Sequence, residues 1–279
     1  LISAGVACFA MLSLFPALAA LIALLGLISD PVVVIAQLED VRELLPDDVY
    51  DIINTQVTGL VTARADTLGW AGIVSLLVAL WSARAGVGAM VIGLNAVYNE
   101  RNRNAAKHYL HALLLTVSLV AVGIVALLAV VVAPIILAFI PLGPFGNAVA
   151  DLLRWTVATV VLFAGVGVLY RFGPNRRAAR LPWLSSGAIL AVLSWAVISI
   201  GFSYYVANFG NYNQVYGSIG AVIAMLVWLW ISSFLILFGA ALNAQVERRT
   251  KPDSTIGPAK PRGRRGAEAA DTFIEVENE

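Results

Sequence analysis

Six stretches of this chain are each apolar for long enough to cross a lipid bilayer, and nothing else in the sequence constrains the fold as strongly. A helix rises about 1.5 Å per residue, so a hydrocarbon core of roughly 30 Å takes about 20 apolar residues. The stretches are Ile2–Ile28, Leu68–Leu94, Leu110–Ile140, Val149–Tyr170, Trp183–Ala207 and Ser218–Asn243. Only 13% of the residues are charged and 60% are hydrophobic, against about a quarter charged in a soluble domain. The expectation is an all-α, polytopic membrane protein with six transmembrane helices over about residues 1–250. Pro134 in the third stretch predicts a kink or tilt there, with Pro141 and Pro144 marking its exit.

The basic residues give this layout a direction. Cytoplasmic connections hold an excess of Lys and Arg. The second connection carries Arg101, Arg103 and Lys107, the fourth carries Arg171, Arg176, Arg177 and Arg180, and the tail carries seven more, so 14 of the 18 basic residues sit in these three places. The first connection has only Arg42 and Arg64 against eight acids, and the third and fifth have neither Lys nor Arg. The alternation predicts that the even connections and the tail lie on the cytoplasmic side, with both termini inside. The chain opens at Leu1 within an apolar stretch that has no charged n-region and no small-residue cleavage site, so a missing N-terminal segment and a true first span are expected rather than a cleaved signal.

Two regions lie outside the spans. Between the first two, about residues 30–67, Val41, Leu44, Leu45, Val49, Ile52 and Ile53 recur at three- and four-residue steps, and Pro46 can open a helix whose first turn holds Asp47, Asp48 and Asp51. That period predicts an amphipathic helical cap on the outer face. Residues 251–279 turn to Pro, Gly, Arg, Ala and Glu, which predicts a disordered cytoplasmic tail. Its basic part, with the other basic connections, would meet anionic lipid at the inner leaflet. Membrane lipids are thus the expected partners, with no nucleic acid.

Several short motifs carry a family resemblance. They are Leu12-Ser13-Leu14-Phe15-Pro16, then Leu80-Trp81-Ser82-Ala83 with Gly86 and Leu94-Asn95. Further on come Tyr170-Arg171-Phe172-Gly173-Pro174-Asn175, Tyr205, Tyr212, Tyr216-Gly217-Ser218 and the ending Gly239-Ala240-Ala241-Leu242-Asn243. Together they resemble the YihY/BrkB family of bacterial inner-membrane proteins over about residues 1–248. The resemblance implies a six-helix protein associated with envelope integrity, in a family whose members have also carried a ribonuclease BN label. Cys8-Phe9 departs from the pair of aromatics usual there, and Arg84 stands where a small polar residue is expected.

Arg84 is the sharpest candidate for function. A charge inside a membrane helix costs at least about 2.5–3.5 kcal/mol on insertion scales and calls for a polar cavity or a partner, unless its stem carries the charge out to the headgroups. Small neighbours, Ala83, Ala85, Gly86 and Gly88, would let another helix or a lipid phosphate approach. A second cluster, Tyr204, Tyr205, Asn208, Tyr212, Asn213 and Tyr216, is polar and neutral, which suits either interfacial anchoring or a sugar or lipid headgroup. At the inner end Asn243 and Glu247 lie four apart on one helix face with Asn95 at the same depth on the second helix. They would either close an inner gate or cap helix ends, with Glu247 paired to Arg248 or Arg249.

Catalysis finds little support in the sequence. His108 and His111 are three apart but without a carboxylate or cysteine at ligand spacing, and the single cysteine, Cys8, reads as a small buried hydrophobe. No Ser-His-Asp set or phosphate-cradling glycine loop is present, and nuclease chemistry would want a carboxylate-held metal. The reading is therefore a non-enzyme without metal or cofactor: a transporter or flippase-like permease for a lipid or other envelope component, the alternative being a non-transporting scaffold for envelope machinery.

Overall fold

The second helix of the structure ends in a way its sequence dictates. It runs Ala65–Tyr98 and stops where Asn99 takes a left-handed backbone, φ 59°. The Asn99 N–H then reaches the Ala96 carbonyl at 3.2 Å and the Glu100 N–H reaches that of Asn95 at 2.8 Å. These back-turned bonds satisfy the last carbonyls, and Asn adopts the left-handed region more readily than other residues with a side chain. This helix is α2; the others are α1 Ile2–Ile28, α3 Ala105–Leu127, α4 Gly143–Phe172, α5 Ser186–Asn208, α6 Ser218–Arg248 and the short α7 Glu268–Asp271. The computed structural model describes residues 1–28, 65–127, 143–176, 185–208, 218–250 and 253–272, and no strand occurs among them.

Five of these helices are long and apolar enough to cross a membrane, the apolar parts being Gly72–Tyr98, Ala105–Ala126, Ala148–Phe172, Ser186–Val206 and Val222–Arg248. α1 is the sixth candidate: it has 27 residues, with Pro16 inside, and the part whose side chains are described, Ile2–Ala17, forms a shorter apolar helix. Helices suit this setting because each bonds its own backbone, leaving no peptide group bare in hydrocarbon. The chain is an all-α, multi-pass membrane protein. The expected outer cap at about 30–67 lies outside the described residues except for its last three, which open α2; Pro134 and Pro141 also lie outside them. Pro144, expected to mark the exit of the third span, instead sits in the first turn of α4, where its missing N–H leaves no intrahelical bond unmade. Cys8, expected to be buried, is exposed.

The chain divides into two compact units. The first comprises Leu1–Val6, Val87–Ala207 and Trp230–Glu279, the second Ala7–Gly86 and Asn208–Leu229. In the first unit α3 packs on α4. Gly93 of α2 lies where any Cβ would stand 2.9 Å from both Ile2 and Leu237, so its lack of a side chain lets the start of α1 and the helix α6 close on α2. The buried core of this unit includes Val91, Leu94, Tyr98, Leu169, Tyr170 and Ala244. It gathers at the Arg-rich end, where α2, α4 and α6 finish and α5 begins. Ala269 of α7 belongs to the same core.

This last contact overturns the expectation of a wholly disordered tail. Residues 253–272 fold, because two aspartates organise the backbone around them. The Asp253 carboxylate accepts from the N–H groups of Thr255 and Lys260, and Asp271 accepts from those of Gly263, Arg265 and Gly266. The buried Arg265 guanidinium donates to the carbonyls of Lys260 and Ala270. Gly257, Gly263 and Gly266 all have positive φ, conformations that glycine adopts at little steric cost.

Candidate functional site

The Arg-rich end of the first unit holds a closed polar network built on helix termini. A helix leaves its first N–H groups and last carbonyls without internal partners, and here the neighbouring chain supplies them. At the start of α5, Ser185 caps the helix: its carbonyl accepts from Ile189 N–H and its hydroxyl from Ala188 N–H. The next donor, Gly187 N–H, is taken at 2.8 Å by the side-chain carbonyl of Asn243 from α6, whose amide also donates to the Ser185 hydroxyl at 2.9 Å. So close an approach needs glycines: a Cβ on Gly187 would lie 2.0 Å from the Gly239 carbonyl and one on Gly239 would lie 2.3 Å from that of Gly187.

The end of α4 is treated in the complementary way. The Phe172 carbonyl accepts from His111 Nε2 at 2.6 Å, and those of Gly173 and Pro174 accept from the two terminal nitrogens of Arg103 at 3.0 and 2.9 Å. Cations suit this negative dipole end. Burial pushes the Arg103 pKa down. The following Asn175 N–H bonds the side-chain oxygen of Asn95 at 2.7 Å, and the Asn95 amide donates to Asn102 at 2.8 Å. Asn95 and Asn243 are each 1% exposed.

Arg176 completes the closure. Its two terminal nitrogens meet the two carboxylate oxygens of Glu247 at 2.6 and 2.7 Å, with each side chain 2% exposed, and its guanidinium stacks 4.9 Å over the ring of Tyr98. Burial opposes the charged guanidinium, but the hydrogen bonds and charge of Glu247 outweigh it and raise the Arg176 pKa. Such a fork matches a carboxylate in geometry as well as charge. Ser254 donates to the same Glu247 carboxylate. Nearby, Glu100 accepts from the Glu268 N–H at 2.8 Å, and burial raises its pKa more than that bond lowers it.

Residues 1–264 match the model of the family described as Virulence factor BrkB. The chain belongs to the BrkB family. Among its relatives, the ribonuclease-like protein YfkH of Bacillus subtilis (strain 168) is 32% identical over 260 residues, 90% of this chain and 91% of that one. UPF0761 membrane proteins are similar over shorter stretches: one from Xanthomonas campestris is 31% identical over 102 residues, and one from Tolumonas auensis is 30% identical over 119. This BrkB-family chain spans nearly the whole of YfkH, but its matches cover only 24% and 37% of those two membrane proteins. No solved structure matches it.

Within this BrkB-family fold, three of the residues singled out in the sequence, Asn95, Asn243 and Glu247, come together in one network. Asn243 caps a helix, though it is α5 rather than its own. Glu247 pairs with Arg176 and not with Arg248 or Arg249, since residues one or two apart on a helix do not share a face. Arg84 is half-buried and belongs to the second unit. Tyr204 is 72% exposed and stands about 28 Å along α5 from Ser185 by helical rise, so it is no part of the network. Asn208 ends α5, and its side chain lies outside what the structure describes, as do Tyr212, Asn213 and Tyr216 altogether. Sequence reasoning missed Arg176, Tyr98, Ser185 and Arg103. The available signal was the Phe172-Gly173-Pro174-Asn175-Arg176 run, which counted there toward family resemblance and, at Arg176, toward orientation. Among the described residues no three His, Cys, Asp or Glu side chains group as metal ligands.

Proposed function

We propose that this membrane protein is a transporter or flippase-like permease for a lipid or other envelope component, and that the Arg176–Glu247 closure is its gate. In this reading it sits in the bacterial cytoplasmic membrane with both termini inside, as the one-sided Lys and Arg distribution supports. Anionic lipid meets the basic connections. The observation that carries the gate is the burial of a complete ion pair, 2% exposed on each side. Desolvating two charges is expensive, and well-packed apolar residues would hold helices together at least as well. A pair of this kind earns its place where a closure must also open, because water entering the site hydrates both charges. No catalytic step enters the proposal. Glu247 is held by Arg176 and Ser254, and Glu100 by a backbone N–H.

The test is reconstitution into vesicles with fluorescent lipids and labelled polar solutes. Flux above that of empty vesicles, raised by Glu247→Gln, is the expected result, and equal flux with and without protein removes the proposal. A scaffold reading draws on the folded tail, a ready surface for a partner protein. It expects removal of residues 251–279 or of the outer cap to abolish function while Arg84→Ala is tolerated; the transport reading expects the reverse.

A further inference from the structure

The tail does more than fold on itself, because it reaches the helices at two carboxylates far apart in the sequence. Ser254 donates its hydroxyl to Glu247, the acid that also holds Arg176. At the other end of the segment the Glu268 N–H donates to Glu100, just past the end of α2. Next to Glu268, Ala269, 0% exposed, enters the core that contains Tyr98 and Ala244. Tyr98 is the ring on which Arg176 stacks. The tail thus touches the acid of the closing pair directly, and it shares a core with the ring beneath the base. The internal order of the segment, set by Asp253, Asp271 and Arg265, makes it a rigid piece able to dock and leave as a unit.

We infer that residues 253–272 are a latch: docked, they hold the Arg176–Glu247 closure shut, and released, they free it. This rests on the gating reading above, but it makes a structural claim that does not need transport to be measured. The two docking bonds are few, and one runs to an exposed backbone N–H. Undocking breaks these two bonds and withdraws one small side chain, Ala269, from the core, which makes it a local opening rather than a global unfolding.

Two substitutions break the docking bonds while leaving the latch itself foldable. Ser254→Ala removes the hydroxyl donor. Glu268→Pro removes the N–H at the first position of α7, where proline is well tolerated, and the preceding Ala267 already has the extended backbone, φ −151° and ψ 117°, that a following proline favours. With Cys8→Ser removing the chain's single cysteine, Ser185→Cys places a thiol in the same polar network, on the residue that bonds Asn243 one turn before Glu247 and is 6% exposed. A water-soluble maleimide is expected to label it about tenfold faster in the Ser254→Ala/Glu268→Pro background. An unchanged rate overturns the latch. Amide exchange over residues 253–272 of the unsubstituted chain guards against perturbation by the cysteine: protection lost in the double variant is expected, and exchange at the unfolded rate in the unsubstituted chain also overturns it. Flux separates the two proposals. Faster labelling without flux in any variant defeats the transport reading alone, whereas measurable flux that the double variant leaves unchanged defeats the latch alone.

Discussion

The two ends of the same helices differ in what they are dissolved in. Along the shafts of α3, α4 and α5, large apolar side chains point outward: Leu153 is 61% exposed and Ile200 is 72% exposed. Their polar groups are satisfied locally, as where Thr156 and Thr159 bond carbonyls one turn back. At the Arg-rich end of the first unit the arrangement inverts. Charged and amide side chains are buried, and the bonds from Asn95 to Asn175, Arg176 to Glu247 and Asn243 to Gly187 join residues 56 to 80 apart. Lipid makes the first pattern possible, since a leucine in hydrocarbon gains little by turning inward. The second pattern requires nearly all of the buried polar groups to be paired. Order at the polar end therefore rests on a few specific bonds, and order along the shafts on many unspecific ones.

The sharpest way to break this comparison is to unpair one charge. Glu247→Ala leaves Arg176 buried beside Tyr98 without its carboxylate, and the expected cost is about 3–5 kcal/mol of stability. Thermal unfolding of the detergent-solubilised protein reads it. Arg176→Met with Glu247→Leu removes both charges at similar volume and is expected to recover most of that loss. A single substitution as mild as a change at Ile200 would mean that the pair is hydrated and the polar end ordinary surface.

The next effect compares two glycines of one helix. A Cβ at Gly187 would meet the Gly239 carbonyl at 2.0 Å and the Asn243 side chain at 2.6 Å, whereas one at Gly201 meets nothing within 4 Å. Gly187→Ala must push α5 off α6 and is expected to cost about 1–3 kcal/mol. Gly201→Ala is expected to be neutral or to stabilise by up to about 1 kcal/mol, through helix propensity. Equal effects in thermal unfolding would remove the distinction between packed end and lipid-facing shaft.

This contrast also explains what the sequence could disclose. Hydrophobic length is a local property, so five spans and the apolar start of α1 were legible, as was the one-sided basic pattern. Boundaries were not: α2 and α6 run on to Tyr98 and Arg248, because polar residues such as Asn95 and Glu247 are buried by partners that no hydropathy window contains. Asn95, Asn243 and Glu247 stood out as polar residues near apolar helix ends. Arg176 did not, because a basic residue in a connection is what the positive-inside pattern already leads one to expect. The composition of the tail read as disorder for a related reason. Its order comes from Asp253, Asp271 and Arg265 meeting backbone groups, and such capping leaves no periodic trace.

The smallest effect concerns the outermost layer of the polar end, and its sign can be worked out. Hydrogen bonds from the Lys260 and Thr255 N–H groups hold the Asp253 carboxyl well below its usual 3.8. An acid with a depressed folded pKa contributes stability that is full above the unfolded value and is lost as pH falls through the folded one. The Asp253 contribution to amide protection of the folded tail should thus be constant from neutral pH to about 4 and be lost progressively below that. Glu100 pulls the other way. Its folded pKa is raised by burial, so its contribution is present in acid and fades as pH rises past that value. Asp253→Asn removes the depressed group while keeping one oxygen acceptor, and it should flatten the acid limb while leaving the limb due to Glu100. Hydrogen exchange by mass spectrometry over residues 253–272, scored against intrinsic rates at each pH, separates the two. Protection that falls below pH 4 equally in both forms would show that the tail owes its order to something other than the Asp253 cap.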